Sequence, residues 1–355
     1  MKYNLFSKYL QKWHQTAESR RMPWVGEKDP YKIWLSEVIL QQTRVAQGLI
    51  YYEKFLTAFP TVFDLARAPE KKVFKLWEGL GYYSRCRNLI ATAKNIVQDR
   101  NGCFPNTYSG LLQLKGIGSY TAAAIASFAY NQPYAVVDGN VFRVLSRVFG
   151  IETPIDTAEG KKQFFQLAQA LLDKKNPATF NQAIMDLGAT TCKPLAPICN
   201  QCPFKMHCKA YADHSITALP IKQKKIKLVH RYFYFFVIEK RKKIAVRERT
   251  GNDIWKNLFE FPCLEALTPD AEKSMIELAL QKGWLPQPHR IHTVSKPFVQ
   301  KLSHQVVQGV FIKCKVSGRV ASLKNCDWLA KESFSEISFP KLIHQYLKEN
   351  DIFSA

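Results

Sequence analysis

Leu114-Lys115-Gly116-Ile117-Gly118-Ser119-Tyr120-Thr121-Ala122 lies between two helical patterns, Leu111 to Leu114 and Thr121 to Ala129. Its two glycines permit a tight hairpin between helices, because neither carries a Cβ. With no side chain in the way, backbone N–H groups at the start of the second helix can approach a phosphate closely. A G-x-G alone is usually a plain turn. This one sits in a strongly basic chain, 355 residues with 51 Lys and Arg against 29 Asp and Glu and a formal charge of +22. In that setting a hairpin flanked by helices reads as a grip on nucleic-acid backbone.

The excess charge is shared: residues 1 to 228 hold 31 basic and 16 acidic side chains, a net +15, which leaves +7 for residues 229 to 355. Lys222, Lys224, Lys225 and Lys227 form a knot between the two parts. Such a field favours a polyanion, DNA or RNA first, although a solvated surface or an anionic membrane face would also carry it. At this length two or three domains are expected. No signal peptide or membrane span is evident, so a cytoplasmic protein, nucleoid-associated if bacterial, is expected.

Residues 5 to about 190 read as successive helices with short turns; Pro60-Thr61-Val62 and Ala68-Pro69-Glu70 look like helix starts. After about Ala212 the pattern changes. Tyr232 to Ile238 and Lys243 to Arg249 are β-rich runs separated by a short charged turn, a hairpin signature. A strand pattern follows at Gln305 to Lys315, with helical ones at Ala271 to Gly283 and Lys341 to Glu349. The expected organisation is a helical region over 1–212, a basic linker over 213–228 and an α+β domain over 229–355.

Three positions carry chemistry. Glu37 sits in Ile33-Trp34-Leu35-Ser36-Glu37-Val38-Ile39-Leu40, where its helical neighbours are Ile33, Trp34, Leu40 and Gln41, three of them apolar. A carboxyl so placed resists ionising and can act as a general acid; a structural Glu met by backbone donors is the alternative. Asp138, in Val136-Val137-Asp138-Gly139-Asn140-Val141, opens a helix and can be simply its N-cap. The same donors and dipole favour its ionised form, so the two carboxyls should be pushed in opposite directions. A proton donor paired with an anion is what glycosidic bond cleavage needs. The third feature is Cys192, Cys199, Cys202 and Cys208, spaced C-x6-C-x2-C-x5-C. Four clustered thiols in a reducing compartment suit a metal; zinc or an iron–sulfur cluster would accept them, with general frequency favouring zinc. Cys86, Cys103, Cys263, Cys314 and Cys326 show no such pattern.

Taken together, these residues resemble the helix-hairpin-helix DNA glycosylase superfamily and, within it, the MutY-type adenine DNA glycosylases. The matching stretches are Leu35-Ser36-Glu37-Val38-Ile39-Leu40-Gln41-Gln42-Thr43, Gly79-Leu80-Gly81-Tyr82-Tyr83, the Gly116-Ile117-Gly118 hairpin, Asp138-Gly139-Asn140-Val141, Phe180-Asn181-Gln182-Ala183-Ile184-Met185-Asp186-Leu187-Gly188 and the four cysteines, in family order. The resemblance implies a [4Fe-4S] cluster on those cysteines. It also implies a glycosylase without strand-cleaving activity, because related endonuclease III-type enzymes carry a lysine where this chain has Tyr120.

The implied reaction is removal of adenine mispaired with 8-oxoguanine or guanine in duplex DNA, after the base is flipped out. Glu37 would protonate N7 of the base and Asp138 would stabilise or capture the sugar cation, with Tyr120 and Asn140 supporting Asp138 by hydrogen bonds. Trp24 and Gln182 match positions near the adenine pocket. Leu40, Gln41, Gln42, Thr43, Tyr82, Gly116 and Gly118 are expected to meet DNA, with Gln42 and Tyr82 as inserting residues. Arg20 and Arg21 receive no role. The C-terminal domain resembles a Nudix-like lesion-reading domain through Trp255-Lys256-Asn257-Leu258-Phe259-Glu260-Phe261-Pro262, with Ser303 and His304 in a lesion-sensing loop. Ser274 to Ala279 lacks the R-E-x-x-E-E box, so nucleotide hydrolysis is not expected. A monomer is expected, and protein partners are not indicated.

Overall fold

The computed structural model describes residues 3–16, 22–223, 227–269, 271–318, 320, 322–350 and 352. Arg20, Arg21, Lys224 and Lys225 lie outside these. Helices follow one another as α1 (Tyr3–Thr16), α2 (Pro30–Leu40), α3 (Val45–Ala58), α4 (Val62–Arg67), α5 (Glu70–Trp77), α6 (Tyr83–Arg100), α7 (Tyr108–Leu112), α8 (Ser119–Phe128), α9 (Gly139–Phe149), α10 (Ala158–Leu171), α11 (Pro177–Thr190) and α12 (Lys209–Ala212). The chain falls into two compact units, one of Met1–Arg67 with Arg87–Lys225, the other of Ala68–Cys86 with Ile226–Ala355.

In the first unit the helix ends follow local chemistry. Pro30 opens α2 at the position where its missing N–H costs nothing, and the Asp29 side chain accepts from the Tyr31 N–H at 2.9 Å. Helix α2 is buried from Ile33 to Ile39, as a helix apolar on every side must be. Helix α9 begins at Asp138 and ends at Gly150, whose φ of 64° gives the left-handed cap that glycine tolerates. The hairpin between α7 and α8 is pinned by buried Leu111, Leu114 and Ile117, leaving Lys115, Gly116, Gly118 and Ser119 exposed. Gly116 has a φ of 76°, and a Cβ there would stand 2.6 Å from the Asn88 Cβ on α6. Both conformation and space therefore demand glycine. One core joins Phe6 and Leu10 of α1 to Val141, Val144 and Leu145 of α9 and to Phe180, Ile184 and Leu187 of α11.

The second unit is a mixed sheet. Strands β1 (Val229–Lys240) and β2 (Lys243–Glu248) form the expected antiparallel hairpin, turning through Arg241 and Lys242 with φ of 48° and 62°. The others are β3 (Phe259–Glu260), β4 (Cys263–Ala266), β5 (His289–Val294), β6 (Phe298–Lys301), β7 (Gln305–Val316) and β8 (Asp327–Ala330). Their central order is β3-β2-β1-β7-β5, with β1 and β7 parallel and the remaining pairs antiparallel. Helices α13 (Glu272–Gln281) and α14 (Lys341–Glu349) complete the α+β architecture. Within the Trp255 to Pro262 stretch, Glu260 is buried and paired with Arg247 and Arg249, since a lone buried carboxylate would be costly.

Residues 68–86 join this unit through specific bonds. The Phe339 N–H donates to Glu78 Oε1 at 2.8 Å, and Lys75 Nζ donates to the Ile337 carbonyl at 3.0 Å. No described helix is long and apolar enough to cross a membrane.

Candidate active site

A cavity of about 470 Å³ opens in the first unit, walled by α2, α8, α9 and α11. It gathers Trp24, Glu37, Leu40, Gln41, Gln42, Thr43, Tyr120, Asp138, Asn140 and Gln182 around one space. Three of them owe their positions to local rules: Glu37 to the buried helix α2, Tyr120 to the first turn after the hairpin, Asp138 to the N-cap of α9.

Glu37 is buried, and burial is the main reason its carboxyl is pushed up to about 7; the neighbouring Asp138 charge raises it too, while the Tyr120 hydroxyl, donating to it, pulls it down. The Tyr120 phenol is itself raised well above its ordinary value, chiefly by burial and by the Glu37 charge. Asp138 accepts three hydrogen bonds: from the Asn140 and Val141 backbone N–H groups, each at 2.8 Å, and from Asn140 Nδ2 at 2.7 Å.

Two expectations change here. Tyr120 is not among the donors to Asp138; its hydroxyl acts instead on the Glu37 carboxyl, which it pulls down. Asp138 is not pushed below the usual carboxylate range. Its burial outweighs the three donors and the Arg143 guanidinium, so both carboxyls are raised. The contrast is one of support: Glu37 has a single hydroxyl donor beside a negative charge, whereas Asp138 has three donors and a positive neighbour.

Arg143 was not singled out by the sequence, though it stands one helical turn beyond Asn140. Its Nη2 donates to Asn140 Oδ1 at 2.8 Å and to the Gly188 carbonyl at 2.6 Å, and its Nε to the Cys192 carbonyl at 2.7 Å. Asn140 is thus held from behind while it holds Asp138. Gly188 permits this closeness, since a Cβ there would lie 2.6 Å from the Asn140 Cβ. Asp186 was also passed over; it lies four residues after Gln182 on the same face of α11 and lines the cavity.

The four cysteines surround a second, small recess walled partly by Val144, Val148, Leu187 and Pro197. Cys202 is raised to about 12, mainly by burial and further by the three other sulfurs, which repel a thiolate. Arg147 places Nη1 3.6 Å from Cys192 Sγ, a positive charge beside this thiol set. Among the described residues no three His, Cys, Asp or Glu side chains are placed to share a single metal ion.

Gly116 and Gly118 stand in the hairpin turn and do not line the large cavity. Tyr82, Ser303 and His304 belong to the second unit; there the Tyr82 hydroxyl and Ser303 Oγ hydrogen-bond each other, and both side chains are exposed. Gln42 and Tyr82 share a backbone peculiarity, positive φ of 53° and 46°, which non-glycine residues adopt at a cost.

The fold and this site define a helix-hairpin-helix base-excision repair protein with an appended Nudix domain. The HhH-GPD superfamily of base excision DNA repair proteins matches residues 35–172, and a NUDIX domain matches residues 233–349. The chain is 31% identical over 350 residues to the adenine DNA glycosylase of Buchnera aphidicola subsp. Schizaphis graminum, covering 97% of this chain and 98% of that one. It is 44% identical over 210 residues to the Homo sapiens adenine DNA glycosylase, covering 57% of this chain and 38% of the other. Among solved structures it resembles a thermostable thymine-DNA glycosylase, with a TM-score of 0.55, 28% identity and coverage of 59% and 97%. A trapped endonuclease III–DNA covalent intermediate shares the fold, with a TM-score of 0.52, 18% identity and coverage of 60% and 99%. The chain belongs to the adenine DNA glycosylase family, the N-glycosylases of base excision repair that act on adenine.

Proposed function

We propose that this protein is a monofunctional glycosylase that removes adenine opposite 8-oxoguanine or guanine from duplex DNA. One observation carries the chemistry: Glu37, a buried carboxyl that burial pushes up to about 7, faces the same cavity as the hydrogen-bonded carboxyl of Asp138. A flipped adenine occupies that cavity. Glu37 gives its proton to N7, so the base departs neutral; Asp138 stabilises or captures the sugar cation left behind, and water positioned by the Glu37 carboxylate then adds at the sugar carbon and gives that carboxylate its proton. Asn140 and the α9 N-terminus hold Asp138 in place. Tyr120 takes no covalent part; it donates a hydrogen bond to Glu37. No lysine is found among the described residues lining the cavity, which supports base removal without Schiff-base strand cleavage.

The exposed hairpin glycines, together with the positive charge, hold the DNA backbone. Gln42 and Tyr82 enter the duplex, and Ser303 and His304 read the opposing base. The remaining residues at the rim, Leu40, Gln41 and Thr43, contact the strand beside the flipped base. Cys192, Cys199, Cys202 and Cys208 would hold a [4Fe-4S] cluster. Thiols spread around a recess suit a cluster, one per iron, better than a single ion. Bound there, it would tie the 192–208 loop to the core through four metal–sulfur bonds. The setting for this work is the cytoplasm, at the nucleoid if the protein is bacterial, with the protein acting as a monomer.

Purified protein should release adenine from a duplex with adenine opposite 8-oxoguanine and leave abasic sites that break only after alkali or heat. The Glu37→Gln variant should bind that duplex and release at least about a hundredfold less base. Spontaneous nicking as fast as base release would refute monofunctional chemistry. Iron and sulfide content with a broad visible absorption band would support the cluster; a colourless zinc protein would refute it.

A further inference from the structure

Gln182 and Asp186 face the large cavity from adjacent turns of α11. Gln182 Nε2 donates to Asp186 Oδ1 at 3.1 Å. A carboxylate only accepts hydrogen bonds, so the amide must turn its NH2 towards Asp186 and its oxygen the other way. The second oxygen of Asp186 is faced by His14, in the last turn of α1, with Nε2 to Oδ2 at 3.4 Å. That nitrogen is buried and has no hydrogen-bond partner, so Asp186 Oδ2 at 3.4 Å is the polar group it faces. A residue on the first helix thereby backs the carboxylate that orients a pocket amide.

We propose that His14, acting through Asp186, fixes the orientation of the Gln182 carboxamide so that its oxygen reads the amino group of the base in the cavity. The proposal rests on the reading of that cavity as the adenine pocket. Adenine carries an N–H donor at its six-position, whereas hypoxanthine carries a carbonyl there. An amide oxygen facing the base favours the first and leaves the second with two acceptors opposed, a mismatch that a hydrogen-bonding site penalises heavily. Without His14 the carboxylate is free to swing from Gln182, and the amide can flip to present its NH2. His14 and Asp186 are then positioning residues, and only Gln182 touches the base.

The test is single-turnover release of adenine and of hypoxanthine, each opposite 8-oxoguanine, by the full-length protein and its variants. His14→Phe and Asp186→Asn should lower the adenine-to-hypoxanthine rate ratio about tenfold, the worth of one hydrogen bond. His14→Gln should keep the ratio within about threefold of the parent, because its amide presents a polar N–H to Asp186 in place of the imidazole. His14→Ala is measured beside His14→Phe, with thermal melting of each, so that misfolding of the bulkier variant does not decide the matter. If the His14 variants lose both rates equally and keep the ratio, His14 only packs and the proposal fails. A ratio lost in Asp186→Asn alone also overturns the part given to His14. A parent protein that releases no adenine defeats the adenine-pocket reading, and the proposal falls with it; a changed ratio is visible only in an active parent.

Discussion

Tyr120→Phe is the most informative single change, because it alters a proton affinity without altering the shape of the pocket. Burial and the Asp138 charge lift the Glu37 carboxyl, the Tyr120 hydroxyl lowers it, and the balance lies at about 7. Near pH 7 about half of the molecules carry the proton, against roughly 0.3% for a carboxyl at its ordinary value of 4.5. The hydroxyl favours the ionised form, since a carboxylate accepts a hydrogen bond more strongly than a carboxylic acid does. A bond of that kind contributes roughly 1.5 kcal/mol, or about one pH unit. In Tyr120→Phe, Glu37 should therefore keep its proton to about one pH unit higher. The assay is single-turnover adenine release from about pH 6 to about pH 9, where the parent rate should fall tenfold per unit once Glu37 ionises. The variant's alkaline limb should move upward by about one unit, whatever happens to its plateau. Asp138→Asn should move the limb the other way in any residual activity, because it removes the charge that raises Glu37. If the limb stays in place in Tyr120→Phe, or persists in Glu37→Gln, Glu37 is not the titrating acid.

Three further outcomes follow from the site and the hairpin. Glu37→Gln should stabilise the protein above neutral pH: the folded carboxyl binds its proton more tightly than the unfolded one, so parent stability falls as pH rises from 4.5 through about 7. The cost relieved is roughly 3 kcal/mol, and melting curves for parent and variant should separate at alkaline pH and converge at acid pH. Gly116→Ala meets both a φ of 76° and the Asn88 side chain, and should cost on the order of 2 kcal/mol. Gly118→Ala has open space and a φ of −88°, so its melting point should hold while duplex affinity drops and its salt dependence becomes shallower.

Much of the fold was legible because its signals are local. Apolar residues at helical spacing marked α2 and α9, with Asp138 as the capping side chain of α9, and β-rich runs marked β1, β2 and β7. The site residues were legible as motifs, and one cavity gathers most of them. What remained hidden depends on residues far apart in sequence. Nothing in Ala68–Cys86 reveals that it joins the sheet unit, because the bonds responsible run from Lys75 and Glu78 to Ile337 and Phe339. Arg143 and Asp186 looked like ordinary helical charges until their partners were in view.

Glu37 and Asp138 draw the line between the two sources. Sequence alone determined that Glu37 has apolar neighbours on its own helix and that Asp138 caps another, since both depend on residues within one turn. Only the tertiary structure decided that the two carboxyls share a cavity, that Tyr120 serves Glu37, and that Asp138 is raised rather than lowered. Proton affinity is set by everything within a few ångströms, and most of what surrounds each carboxyl comes from other helices.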